Sequence, residues 1–115
     1  MDNDDIPILK KLNELYRVFL EFRKLVPKQE RHTIYERSEN ALLDTIELLF
    51  HAGYAKSNTK KIILEKASVK LNLLRFLIRT MKETKILDPK KYIRIQGLVD
   101  EIGRMLGGWI RSTQS

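Results

Sequence analysis

The stretch Thr59–Thr84, TKKIILEKASVKLNLLRFLIRTMKET, decides the fold class, because it repeats apolar residues every three and four positions. That is the period of a helix, not the alternation of a strand. On a wheel of about 100° per residue, Ile63, Leu64, Ala67, Leu71, Leu74, Ile78 and Met81 share one arc. A second arc, nearly opposite, holds Ile62, Val69, Leu73 and Phe76. Basic residues fall between the two, Lys66 and Lys70 on one flank and Lys61, Arg75 and Arg79 on the other. A helix in a monomeric bundle needs one apolar face. A second marks it for contact with another subunit, since large exposed apolar patches mark interaction sites. The alternative is that the chain's own first helix or a terminus covers it.

Charge gathers on the same element. From Thr59 to Lys85 there are eight Lys or Arg residues, Lys82 among them, against Glu65 and Glu83 alone. The surplus of six is nearly the whole formal net charge of +7. A solvated face is the usual fate of a charge run, but such faces normally mix signs. In a ring of subunits these strips would repeat and reinforce one another as a track for a polyanion.

Three more amphipathic stretches flank this one. Asp88-Pro89 is an N-cap followed by proline at the first helical position, which starts a helix running to about Arg111. Its apolar side carries Tyr92, Ile95, Leu98, Val99, Ile102, Leu106 and Trp109. Upstream, a helix over about Gln29–Gly53 presents Tyr35, Leu42, Leu43, Ile46, Leu49 and Phe50, with Gly53 as a candidate C-cap. Lys56-Ser57-Asn58-Thr59 offers three N-cap candidates for the helix that follows. The first helix runs from about Ile6 to Val26, burying Leu12, Leu15, Tyr16, Phe19, Phe22 and Val26, and Pro27 ends it. Short links make neighbours antiparallel, so the expectation is one all-α domain over 1–115, an up-down-up-down four-helix bundle with helices at 6–26, 29–53, 59–84 and 89–111.

The bounds agree. A chain of 115 residues is one domain. No window approaches the ~20 apolar residues that span a bilayer, and the acidic Met1–Asp5 start is unlike a signal peptide. With no cysteine there is neither a disulfide nor a thiolate metal site. The expected location is the cytoplasm. A pI near 9.7 draws the chain to polyanions such as RNA, DNA, acidic proteins or anionic membranes.

Catalysis finds little support. The only histidines, His32 and His51, are too far apart for one metal site. The carboxylates Glu36, Glu39, Asp44 and Glu47 share one helix, and no second helix offers the Glu-x-x-His pattern of di-iron bundles. No strand carries a glycine-rich phosphate loop. The expectation is no metal, no cofactor, no membrane and no small-molecule substrate.

The fourth helix contains Gly103, Gly107 and Gly108 within Glu101-Ile-Gly-Arg-Met-Leu-Gly-Gly-Trp-Ile110. Each helical glycine costs roughly 1 kcal/mol against alanine. Gly103 and Gly107 lie four apart on one side, where they would admit a neighbouring backbone; a frayed C-terminal turn is the alternative. Trp109 reads as a core or interface anchor more than a base-stacking platform.

Leu74-Arg75-Phe76-Leu77-Ile78-Arg79 followed by that glycine segment, with Pro27-Lys28 entering the second helix, resembles the accessory variability determinant (Avd) proteins of diversity-generating retroelements. These are similar in turn to the four-helix-bundle proteins encoded in intervening sequences of bacterial large-subunit rRNA. The resemblance covers most of the chain. It implies a homopentameric barrel with a basic surface, associated with a reverse transcriptase and its template RNA in mutagenic retrohoming. Arg75 and Arg79 match the arginines of the first motif; Gly103, Arg104, Gly107, Trp109 and Ile110 match the second.

Two functions follow as expectations. One is an oligomer holding RNA or an RNA–DNA hybrid beside a reverse transcriptase, through Lys61, Lys66, Lys70, Arg75, Arg79, Lys82 and Arg104. Its subunit interface would use Ile62, Val69, Leu73, Phe76, Gly103, Gly107 and Trp109. The other is a protein-binding oligomerisation scaffold whose charge serves an acidic partner. Exposed aromatics for base stacking are few, so nucleic-acid binding would be weakly specific and salt-sensitive.

Overall fold

The computed structural model describes residues 7–113, so the acidic start, the Ile6 boundary and the final Gln114-Ser115 lie outside the described residues. Five helices follow in order: α1 Pro7–Arg23, α2 Lys28–Arg31, α3 Ile34–Tyr54, α4 Ser57–Glu83 and α5 Pro89–Ser112. Four of them are long. They pack in the cyclic order α1, α3, α4, α5, each against the next and α5 against α1, while α2 lies on α3. The result is a four-helix bundle about 45 Å long and 23 by 22 Å across.

Pairings along the helices give their directions. Lys11 of α1 meets Glu101 of α5 while Glu21 meets Arg94, so those two run antiparallel. Arg75 meets Asp100 and Lys82 stacks on Tyr92, which sets α4 antiparallel to α5. The two-residue link Ala55–Lys56 folds α4 back along α3.

The seven residues of the inner α4 arc are the buried residues of that helix. They meet Leu12, Leu15 and Phe19 from α1, Leu42 and Leu49 from α3, and Ile95, Val99 and Ile102 from α5 in one core. Tyr35 is fully buried at one end of it. Its hydroxyl donates a 2.5 Å hydrogen bond to the Phe19 carbonyl oxygen, and the two rings sit 5.1 Å apart. Burial pushes that phenol well above its ordinary value.

The α3 face differs from the expected one. Leu43 and Phe50 are exposed, and Ser38 and Thr45 are fully buried instead. Each hydroxyl donates to the carbonyl one turn back, Ser38 Oγ to Ile34 and Thr45 Oγ1 to Ala41, both at 2.8 Å. A serine or threonine satisfied this way enters a core without an orphaned polar atom.

Helix ends depart from expectation in four places. The first helix stops at Arg23, short of the expected Val26. The second predicted helix is interrupted at His32–Thr33. There the Arg31 guanidinium donates to the Lys24 and Val26 carbonyl oxygens at 2.7 and 2.9 Å, satisfying the end of the preceding segment and fixing the turn. Gly53 is not a cap, since α3 continues through Tyr54. None of Ser57, Asn58 and Thr59 caps α4; Lys56 holds that position without a side-chain bond. The Asp88 cap is present, its carboxylate accepting from the Lys91 amide at 2.9 Å. The Lys91 ammonium adds a second bond to Asp88 and, with that amide, holds the carboxyl below its ordinary range.

Lys85 is the one described non-glycine residue with positive φ, at 64°. The Ile86 amide bonds the Met81 carbonyl at 2.8 Å and the Lys85 amide bonds that of Lys82 at 3.1 Å. These two bonds close α4 in a Schellman turn with lysine where glycine is usual.

Candidate partner-binding surface on α4

The outer arc of α4 stands in solvent. Ile62 is 56% exposed and Val69 and Phe76 are each 67% exposed, while Leu73 is half-buried against the core. No described part of the chain covers the first three. Seven residues separate each from the next, so they form a straight stripe along the helix.

The basic residues lie beside that stripe, but many are already engaged. Lys70 pairs with Asp44 of α3 at 3.2 Å, and Arg75 pairs with Asp100 of α5 at 3.4 Å. The two flanks therefore lean towards opposite neighbours. Lys61 sits 3.9 Å from Glu65, and the Lys82 ammonium lies over the Tyr92 ring at 5.0 Å. Lys66, Arg79 and Arg104 are exposed and have no ion pair among the described residues. Lys61 and Lys82 stand about 30 Å apart along the helix. The seven cations form a dispersed strip, not a cluster.

Arg75 is the most constrained. Besides Asp100 it donates to Asn72 Oδ1 at 2.8 Å, and Gln96 Nε2 donates to the same Asp100 oxygen at 2.9 Å. Its Nη2 would stand 3.0 Å from a β-carbon on Gly103. Within the chain, then, Gly103 admits a guanidinium, where the spacing alone predicts a neighbouring backbone. Arg75, Gly103 and Arg104 line one shallow depression with Ser68 and Asn72. Gly107 faces the Arg111 guanidinium, 3.4 Å from where a β-carbon would be. Trp109 is half-buried against the core.

Two surfaces escape the sequence pattern. The first is a groove of about 350 Å³ between α1 and α3, with Leu9, Tyr16, Leu43, Ile46 and Phe50 in its walls. The wheel places Leu43 and Phe50 in the core, and their seven-residue separation is the one signal that they share a different face. The second is a basic end of the bundle, where the α1–α2 turn meets the α4–α5 turn. Lys24, Lys28, Lys85 and Lys90 are exposed there or on adjoining residues. Lysines scattered over loops leave no periodic trace.

Among the described residues there is no group of three or more potential metal ligands, and no helix is long and apolar enough to cross a membrane. The architecture puts the chain in the class of small four-helix bundles that carry a polar and apolar outer helix face. The family described as bAvd-like matches residues 6–113, and the chain belongs to that family of accessory, generally non-catalytic proteins. No curated protein matches the chain.

Proposed function

We propose that this protein is an accessory factor of a diversity-generating retroelement, working in the cytoplasm as a basic homo-oligomer with a pentamer favoured. It holds RNA or an RNA–DNA hybrid together with a reverse transcriptase and so supports mutagenic retrohoming. Family membership supports the accessory role. The observation that carries the rest is the α4 strip, where Lys66 and Arg79 have no ion pair among the described residues and stand beside an exposed apolar stripe. Charge of this kind attracts phosphates without reading bases.

Fluorescence anisotropy with a structured RNA tests the reading. Affinity should fall steeply between low and physiological salt; affinity indifferent to salt would overturn it. Light scattering should give a mass near five times 13.6 kDa.

The uncovered stripe also favours a second reading, a scaffold that binds protein alone. Salt-insensitive RNA titrations with an intact oligomer would select it.

A further inference from the structure

The geometry points to a head-to-tail contact between copies of this chain, in which the Ile62–Val69–Phe76 stripe of one α4 seats in the α1–α3 groove of the next. This rests on the oligomeric reading above and deepens it by naming both halves of the contact. Three observations select a second copy as the occupant.

The first is register. The stripe places an apolar side chain every seven residues, and both groove walls do the same, with Leu9 and Tyr16 on α1 and Leu43 and Phe50 on α3. A seven-residue repeat keeps one seam facing a partner, so knobs spaced by two turns meet holes spaced by two turns.

The second is charge. The groove has a basic rim on α1, where Lys10 and Arg17 are exposed, and an acidic rim on α3, where Glu47 is exposed and Glu36 partly so. The stripe is basic on its α3-facing side, where Lys66 lies four residues before Lys70, which pairs with Asp44; on the other side Glu65 sits with Lys61, its ion-pair partner, and Arg79. In one orientation Lys66 meets the acidic rim, and Glu65 is the one carboxylate turned to the basic rim.

The third observation disposes of the symmetric alternative. Two α4 stripes packed on each other would oppose helices that each carry seven basic residues against two acidic. Like charges across an interface penalise that pairing. The groove belongs to different helices from the stripe, so the contact is heterologous and each copy offers both halves. Such contacts close into rings where the rotation permits.

Two variants of the full chain separate the halves. V69D/F76D spoils the stripe and keeps the groove; L43D/F50D spoils the groove and keeps the stripe. All four positions are exposed, so the thermal melt by circular dichroism should remain cooperative. In light scattering each variant alone should be monomeric. Mixed, they should form one species of twice 13.6 kDa, joined by the single intact stripe–groove pair. A groove variant that still assembles like the wild type overturns the pairing while leaving the oligomer standing, and so does a mixture that stays monomeric. A monomeric wild type overturns both. Should either double variant unfold, the surface pair E47K and K66E replaces it. Each single should weaken self-association about tenfold or more, near 1.4 kcal/mol, and the combined chain should recover; a combination no better than the worse single overturns the pairing.

Discussion

Arg75 rests on Gly103, with its Nη2 3.0 Å from the place a β-carbon would take. That packing turns a family-motif arginine into a strut between α4 and α5, held at both ends by Asn72 and Asp100. The guanidinium recovers part of the glycine's cost to the helix.

Gly103→Ala separates the intrachain role from an intersubunit one. Alanine gains about 1 kcal/mol of helix propensity, and the atom it crowds is the far end of a flexible side chain. Loss of the half-exposed Arg75–Asp100 pair costs less than about 1 kcal/mol. The net expectation is a stabilisation of about 0.5 kcal/mol, read by denaturant melts, with the light-scattering mass unchanged. A smaller particle would instead place Gly103 in the subunit contact.

Lys85→Gly should stabilise the bundle. A side chain at φ 64° costs roughly 1–2 kcal/mol in the left-handed region, and glycine's extra unfolded-state entropy returns part of that. A gain of about 1 kcal/mol is expected in chemical denaturation, with no change in the Asp88 cap beyond it. Unchanged or lowered stability would mean that the lysine contributes an interaction which the turn geometry does not show.

Tyr35→Phe removes the bond to the Phe19 carbonyl and should cost about 1 kcal/mol at neutral pH. The pH dependence is more telling. Folding holds the phenol proton above its ordinary value of 10.0, because burial disfavours the phenolate. The stabilisation is therefore fully present below pH 10 and is lost as the pH rises beyond it, where the unfolded chain releases a proton that the native state keeps. Wild-type stability should fall faster than that of Tyr35→Phe between pH 9 and 11, narrowing the gap between them. Parallel curves would show that the group titrates alike in both states.

The helical period alone identifies the buried side of α4, since every residue of its inner arc is an aliphatic or methionine at helical spacing. The outer arc is legible for the same reason, because four large apolar residues on a charged face stand out. On α3 the period misleads. Ser38 and Thr45 satisfy their hydroxyls on their own helix, so the core accepts them, and the wheel rotates until Leu43 and Phe50 face out. Nothing local marks a serine as buried. The break at His32–Thr33 is hidden for another reason: Arg31 reaches back to two carbonyl oxygens of the α1–α2 segment, an interaction that needs neither glycine nor proline. At the candidate site the charge is legible and its neutralisation is not. Whether Lys70 or Arg75 is free depends on Asp44 and Asp100, which sit on other helices.

That distinction ranks the arginines for RNA binding. Arg79 is exposed and has no ion pair among the described residues, whereas Arg75 must leave Asp100 and Asn72 before it can meet a phosphate. Removing a phosphate-binding guanidinium with Arg79→Gln should weaken binding across all sequences and lower the log–log salt slope by about 1. Lys66→Gln should lower it less, because in the assembly Lys66 meets the acidic rim of the next copy. Arg75→Gln should leave the slope nearly unchanged, provided light scattering shows the same particle, because its charge is already half-cancelled in the free protein. Should Arg75→Gln lower the slope as much as Arg79→Gln, the strut must open on binding. Asp100→Asn would then raise affinity by freeing the guanidinium, and that variant decides between a permanent brace and a latch.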